Sequence, residues 1–266
     1  TSLKGLPTRL KRVPFWLKKA LRLNWSGSGT LRCPSKKTNP AVVKTFEPVI
    51  RVIRQKTNSA PVTGPAKRGE VEMNLSFFGN PKEASIVSEL MQWSEEVLEK
   101  SNPYFNDLPP CPYAKQAWLD EKVAVLFKYE SSNQVLYRTV SSFDDNFELA
   151  IIVDLTVEMA PEAFHEYLDD LNTVISEGMF IDKDIWVMGF HPEDDASDFV
   201  ADIEFDAAVE EAYSLIFVQR LSKLQEAADK LSKKGYYDTY DAEYNAREIY
   251  AKRENLYRGL KNGDET

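Results

Sequence analysis

The chain has 266 residues, of which 43% are apolar and 12% aromatic, and its net charge is −9. That composition is globular and supplies enough apolar mass for one or two cored domains. It holds no run near the roughly 18 to 20 apolar residues that span a bilayer, and no basic stretch followed by an apolar core opens it, so we expect a cytoplasmic protein with no membrane partner.

Two cysteines, Cys33 and Cys111, fit a reducing compartment and rule out a disulfide framework or a four-cysteine zinc site. Two histidines, His165 and His191, are too few for an imidazole-rich metal centre, and we expect no metal site.

Charge divides the chain. Residues 1–72 carry 16 basic against 3 acidic residues, a net +13, and residues 73–266 carry 17 against 39, a net −22. The first segment is rich in Pro, Gly, Ser and Lys and has only short apolar patches, so we expect little fixed structure there. Read as protein, it is a basic arm for nucleic acid or another anionic surface. The alternative we favour is upstream sequence read in frame, with the true start at Met73, the first methionine of the chain.

From Met73 the pattern is regular. Pro81 opens a predicted helix with Ile86, Val87, Leu90, Met91, Trp93, Val97 and Leu98 at helical spacing, ended by Asn102-Pro103. A short helix follows from Pro112 to about Asp120. Val123–Phe127 is a predicted strand, Asn133–Phe143 a helix, Leu149–Leu155 a second strand, Pro161–Gly178 an amphipathic helix and Ile185–Phe190 a third strand. This alternation predicts an α/β fold, a small three- to four-stranded, mostly parallel or mixed sheet with flanking helices over residues 73–205. After Asp206 the spacing reads as helical almost to the end, so residues 206–266 are expected as C-terminal helices packing on or extending from that domain. An aromatic stripe through Tyr237, Tyr240 and Tyr244 is a candidate face for self-association or a protein partner.

Ligands of open α/β sheets bind beyond the carboxyl ends of the strands. Asp154 and His191 close the second and third strands, and Cys111, just before Pro112, is expected at a helix N-cap facing the positive end of the helix, with Lys115 one turn on. Cysteine, histidine and aspartate at one edge are the inventory of an activated thiol: Cys111 as nucleophile, His191 as base, Asp154 orienting the imidazole. Each residue also has a plainer reading, as a buried small apolar side chain, a turn histidine and a loop cap. His165 reads as part of a solvated helix face. Glu193, Asp194, Asp195 and Asp198 lack EF-hand spacing and read as first-turn helix acids.

The segments Pro110-Cys111-Pro112-Tyr113-Ala114, Gly189-Phe190-His191-Pro192 and Leu215–Arg220 resemble the Cys-Pro-Phe-Ala, Phe-His-Pro and Leu-x-Arg segments of an uncharacterised bacterial domain-of-unknown-function family. The chain from Met73 is also similar to hypothetical proteins of tailed cyanophages. The likeness covers roughly residues 108–225, has Tyr113 where the family has Phe, and lends no activity or cofactor. It implies that Cys111, His191 and Arg220 line one pocket. The expectation is a thiol and imidazole site for a small anionic ligand held by Arg220 or Lys115. The alternative is an acidic phage protein acting by contact with a host or phage partner.

Overall fold

The computed structural model describes residues 51–52, 80–194, 209–238 and 246–263. Strands β1 (Arg51–Val52), β2 (Val123–Lys128), β3 (Leu149–Asp154), β4 (Ile185–Phe190) and β5 (Ser214–Arg220) form one sheet in the order β1-β2-β3-β5-β4. β2 and β3 are parallel, while β5 runs antiparallel to both β3 and β4. The sheet is therefore mixed, with helices on both faces, as expected for the α/β class. Of residues 1–72 only β1 is described; it pairs antiparallel with β2 through Arg51 with Val125 and Val52 with Ala124.

The helices predicted between Pro81 and Gly178 are all present. Helix α1 (Pro81–Trp93) starts at Asn80, whose side chain accepts from Lys82 N, and runs on into one π turn, Ser94–Leu98. Helix α2 (Ala114–Leu119) leads into β2, α3 (Gln134–Ser142) joins β2 to β3, and α4 (Pro161–Ser176) joins β3 to β4. Gly178, at φ 91°, ends α4 in the left-handed conformation that glycine tolerates best.

Period-two alternation divides the strand side chains between two cores. Val123, Val125, Ile151, Val153, Leu215 and Phe217 pack with α1, its π turn and α2. Ala124, Leu126, Ala150, Ile152, Ile216 and Val218 pack with α3 and α4. The outer edge of β4 is covered by Asn172 of α4, whose amide accepts from Val187 N at 2.8 Å and donates to Val187 O at 2.7 Å. That occupies backbone groups an open edge would offer to another chain.

One expectation fails here. Residues 206–266 are not helical throughout, because β5 is a strand lying between β3 and β4. An apolar run of this length has no period of its own that separates a buried strand from a buried helix turn, and no Gly or Pro marks where it passes into the next helix. The C-terminal part thus completes the central sheet. Helix α5 (Leu221–Ser232) follows directly, and α6 (Ala246–Gly263) packs on it, so that Trp186, Leu221 and Tyr257 form a third cluster beside β4. Of the expected aromatic stripe, Tyr237 lies 5.3 Å from the Tyr250 ring, and its neighbour Tyr236 lies tilted, 5.0 Å from the Phe105 ring. Tyr240 and Tyr244 lie outside the described residues.

Candidate functional site

Strand register decides which side chains meet. Lys128 is aligned with Asp154, Asp154 with Ser214, and Phe190 with Leu215, which sets His191, the next residue, beside Ser214. All four share the parity of the α3 and α4 core, so Lys128, Asp154, Ser214 and His191 form a row across the carboxyl edge of the parallel strands. They are buried polar residues. Together with Ser131, Thr156–Met159, Phe164 and Tyr167 they line a cleft of about 380 Å³, mouth included.

Within the row the bonds are specific. Lys128 Nζ donates to Asp154 Oδ2 at 2.7 Å and to Thr156 Oγ1 at 3.0 Å, and Thr156 donates to Asp154 Oδ1 from its backbone N at 2.9 Å and its hydroxyl at 2.7 Å. A buried charge pair is tolerated only when its remaining hydrogen-bonding groups are also met, and the turn after β3 does this. Beyond it Val157 is held at φ 44°, a left-handed conformation that a β-branched residue adopts only under constraint from its surroundings.

His191 is 1% exposed. Its backbone N donates to Asp194 Oδ2 at 2.8 Å, and its Nδ1 accepts from Glu193 N at 3.1 Å. A ring that accepts at Nδ1 carries its proton on Nε2, so His191 is the Nε2–H tautomer, and protonation would set a second N–H against that of Glu193. Burial pushes its pKa below the usual imidazole value, opposed in smaller degree by Asp194, the Met159 backbone and Glu193. Among the described residues Nε2 makes no well-formed hydrogen bond, although the Met159 backbone acts on the ring as an acceptor.

The expected link between His191 and Asp154 is absent, since both Asp154 oxygens are taken by Lys128 and Thr156. The carboxylate that orients the His191 loop is Asp194, which is buried and also meets His165 Nε2 at 2.9 Å. His165, expected on a solvated face, and Asp194, expected as a first-turn helix acid, are therefore structural partners. Asp195 and Asp198 lie outside the described residues.

Cys111 is on the other side of the sheet. Its backbone N donates to Leu98 O at 2.9 Å, and Tyr236 Oη donates to neighbouring Pro110 O at 2.5 Å, both within the α1 and α2 core. It is not an N-cap: α2 begins at Ala114 with Tyr113 before it. Burial raises the thiol pKa, although the Tyr113 and Ala114 backbone groups oppose this, so the predicted activation is reversed. Lys115 is exposed on that helix.

Arg220 closes β5, which runs the other way, so it lies at the opposite edge of the sheet, aligned with Ile185. There it is held by Asp182 and Asp145, donates to Phe143 O at 3.0 Å and stacks over the Phe143 ring. The pocket of Cys111, His191 and Arg220 implied by the resemblance is not formed.

Compared with family models, curated proteins and solved structures, the chain has no match.

Lys128 is legible in the sequence as a charge closing an apolar strand at the edge that also carries Asp154 and His191. Ser214 is not, because its strand has no polar alternation to mark it as one.

Proposed function

We propose that this chain binds a small oxygen-bearing molecule in the cleft at the carboxyl edge of β2, β3 and β4, with His191 Nε2–H donating to an oxygen of the ligand. The observation that carries the reading is the Nε2 donor, buried in the cleft lining and without a well-formed hydrogen bond among the described residues. A buried polar group left unpaired costs about 1 to 3 kcal/mol, a cost that a bound acceptor removes. The position agrees with the general rule for open α/β sheets. The enclosed part of the cleft is small, which limits the buried part of the ligand to a few heavy atoms. Met159, Phe164 and Ile216 give it an apolar wall.

In this reading His191 is a donor that binds and orients. It is not a base, because its Nδ1 is occupied and its Nε2 already carries the proton. Cys111 takes no part.

The test is a ligand-observed NMR screen of oxygen-bearing fragments against the full chain, His191→Phe and His191→Gln, with folding of each variant checked by thermal unfolding. Fragments that bind the parent should weaken about tenfold or more with Phe, a loss of about 1.4 kcal/mol, and less with Gln, which retains an N–H donor. Binding that is unchanged in a folded Phe variant would overturn the reading.

A further inference from the structure

The lining of the cleft carries a charge that its neighbours do not balance. Lys128 is the only basic residue among the lining residues, and Asp154 takes its charge at 2.7 Å. Glu158 also lines the cleft and is exposed, which puts it at the mouth, where Oε1 accepts from the Ser131 hydroxyl. A hydroxyl supplies no opposite charge, so the net charge of the lining is that of Glu158. At the buried end, the Met159 backbone acts as an acceptor on the His191 ring, yet Nε2 makes no well-formed hydrogen bond among the described residues. A group that both accepts and donates completes such a pair, by accepting from Nε2–H and donating to the Met159 carbonyl. A hydroxyl has both capacities; a ketone or carboxylate oxygen has only the first.

Resting on the cleft reading above, we propose that the ligand is a short amino alcohol, its hydroxyl between His191 Nε2–H and the Met159 carbonyl, its ammonium group at the Glu158 carboxylate and its methylene groups against Phe164 and Ile216. The buried end anchors the ligand, and the exposed end selects its charge, since an ion pair in solvent adds little affinity. Glu158 repels an anion. A second cationic group finds no free carboxylate in the row, because both Asp154 oxygens are engaged by Lys128 and Thr156. The Phe164 and Tyr167 rings in the lining suit a cation, which ring faces attract. Tyr167 directs its own hydroxyl to Tyr137 at 3.0 Å, so it competes for neither end.

The experiment is NMR titration of the full chain at neutral pH with 3-aminopropan-1-ol, propan-1-ol, butanone and 3-hydroxypropanoate, read at the His191 ring, with thermal unfolding to check each variant. 3-Aminopropan-1-ol should bind about threefold or more above propan-1-ol, propan-1-ol above butanone, and 3-hydroxypropanoate weakest of all. Glu158→Gln keeps an acceptor for Ser131 and removes the charge; it should bring 3-aminopropan-1-ol down to the level of propan-1-ol and leave propan-1-ol unchanged. His191→Phe should weaken both alcohols about tenfold. Butanone that binds as well as propan-1-ol, or 3-aminopropan-1-ol that Glu158→Gln does not weaken, overturns the amino alcohol and leaves the cleft reading standing so long as His191→Phe still weakens binding. Binding indifferent to His191→Phe in a folded variant overturns both. If 3-aminopropan-1-ol does not bind the parent chain, the amino alcohol fails, and the fragment screen decides the cleft reading separately.

Discussion

His191 is kept neutral by two separate causes, burial and the Glu193 N–H directed at Nδ1. As the pH falls below about 6.5 the unfolded chain takes up a proton on this imidazole that the folded chain still refuses, so the unfolded state binds more protons and stability declines with acidification. Above that pH the contribution is constant. His191 should therefore titrate below the usual imidazole value by NMR, and His191→Phe should flatten the acid limb of a stability-against-pH curve; a ring that titrates at or above 6.5 would contradict the assigned tautomer. Cys111 is governed by burial in the same way, with the opposite sign for a group that ionises to an anion. A thiol-reactive probe at neutral pH should label it more slowly than a free cysteine, and labelling should accelerate on unfolding. Both residues were visible in the sequence as chemically capable side chains. Their protonation was not, because it depends on which backbone groups and carboxylates the fold sets around them.

At the level of elements, the cleft depends on how closely α4 approaches β4. Gly189 permits that approach: a Cβ added there would lie 2.5 Å from Leu168 Cδ1 and 2.6 Å from the Phe164 ring. Gly189→Ala should cost about 1 to 3 kcal/mol in urea unfolding through overpacking and should displace Phe164 from the cleft wall. An alanine variant of unchanged stability would show that the helix moves aside freely. The helices and three of the strands could be read from apolar spacing, because α1 and α4 each bury one stripe and start at a proline. Strands β1 and β5 escape it, and β5 shows the limit of such reading. Its sequence, Ser214-Leu215-Ile216-Phe217-Val218, is buried on both faces, so it has no polar alternation to reveal a strand.

For the molecule as a whole, the C-terminal region is part of the core. Trimming the chain at Lys234 would remove Tyr236, 6% exposed and packed on Phe105, and would uncover Trp186 and Leu221, which are 3% and 2% exposed. Loss of one such aromatic residue alone costs about 3 to 5 kcal/mol. The truncated chain should unfold at a markedly lower temperature, as measured by circular dichroism. Unchanged stability after the trim would mean that α6 and the Tyr236 contact contribute little to the core.

The sequence by itself determined the fold class, because strand and helix periods alternate from Pro81 to Phe190 and each apolar stripe needs a partner to cover it. It also placed Asp154 and His191 at the edge where a ligand would bind, since chain direction along a parallel strand follows from the alternation. Only the tertiary structure decided which residues share that edge. An antiparallel β5 takes Arg220 to the far end of the sheet and brings Ser214 beside His191, and the sheet itself separates Cys111 from both. Proximity of this kind is set by strand order and direction, which depend on long-range pairing and leave no local trace in the run of residues.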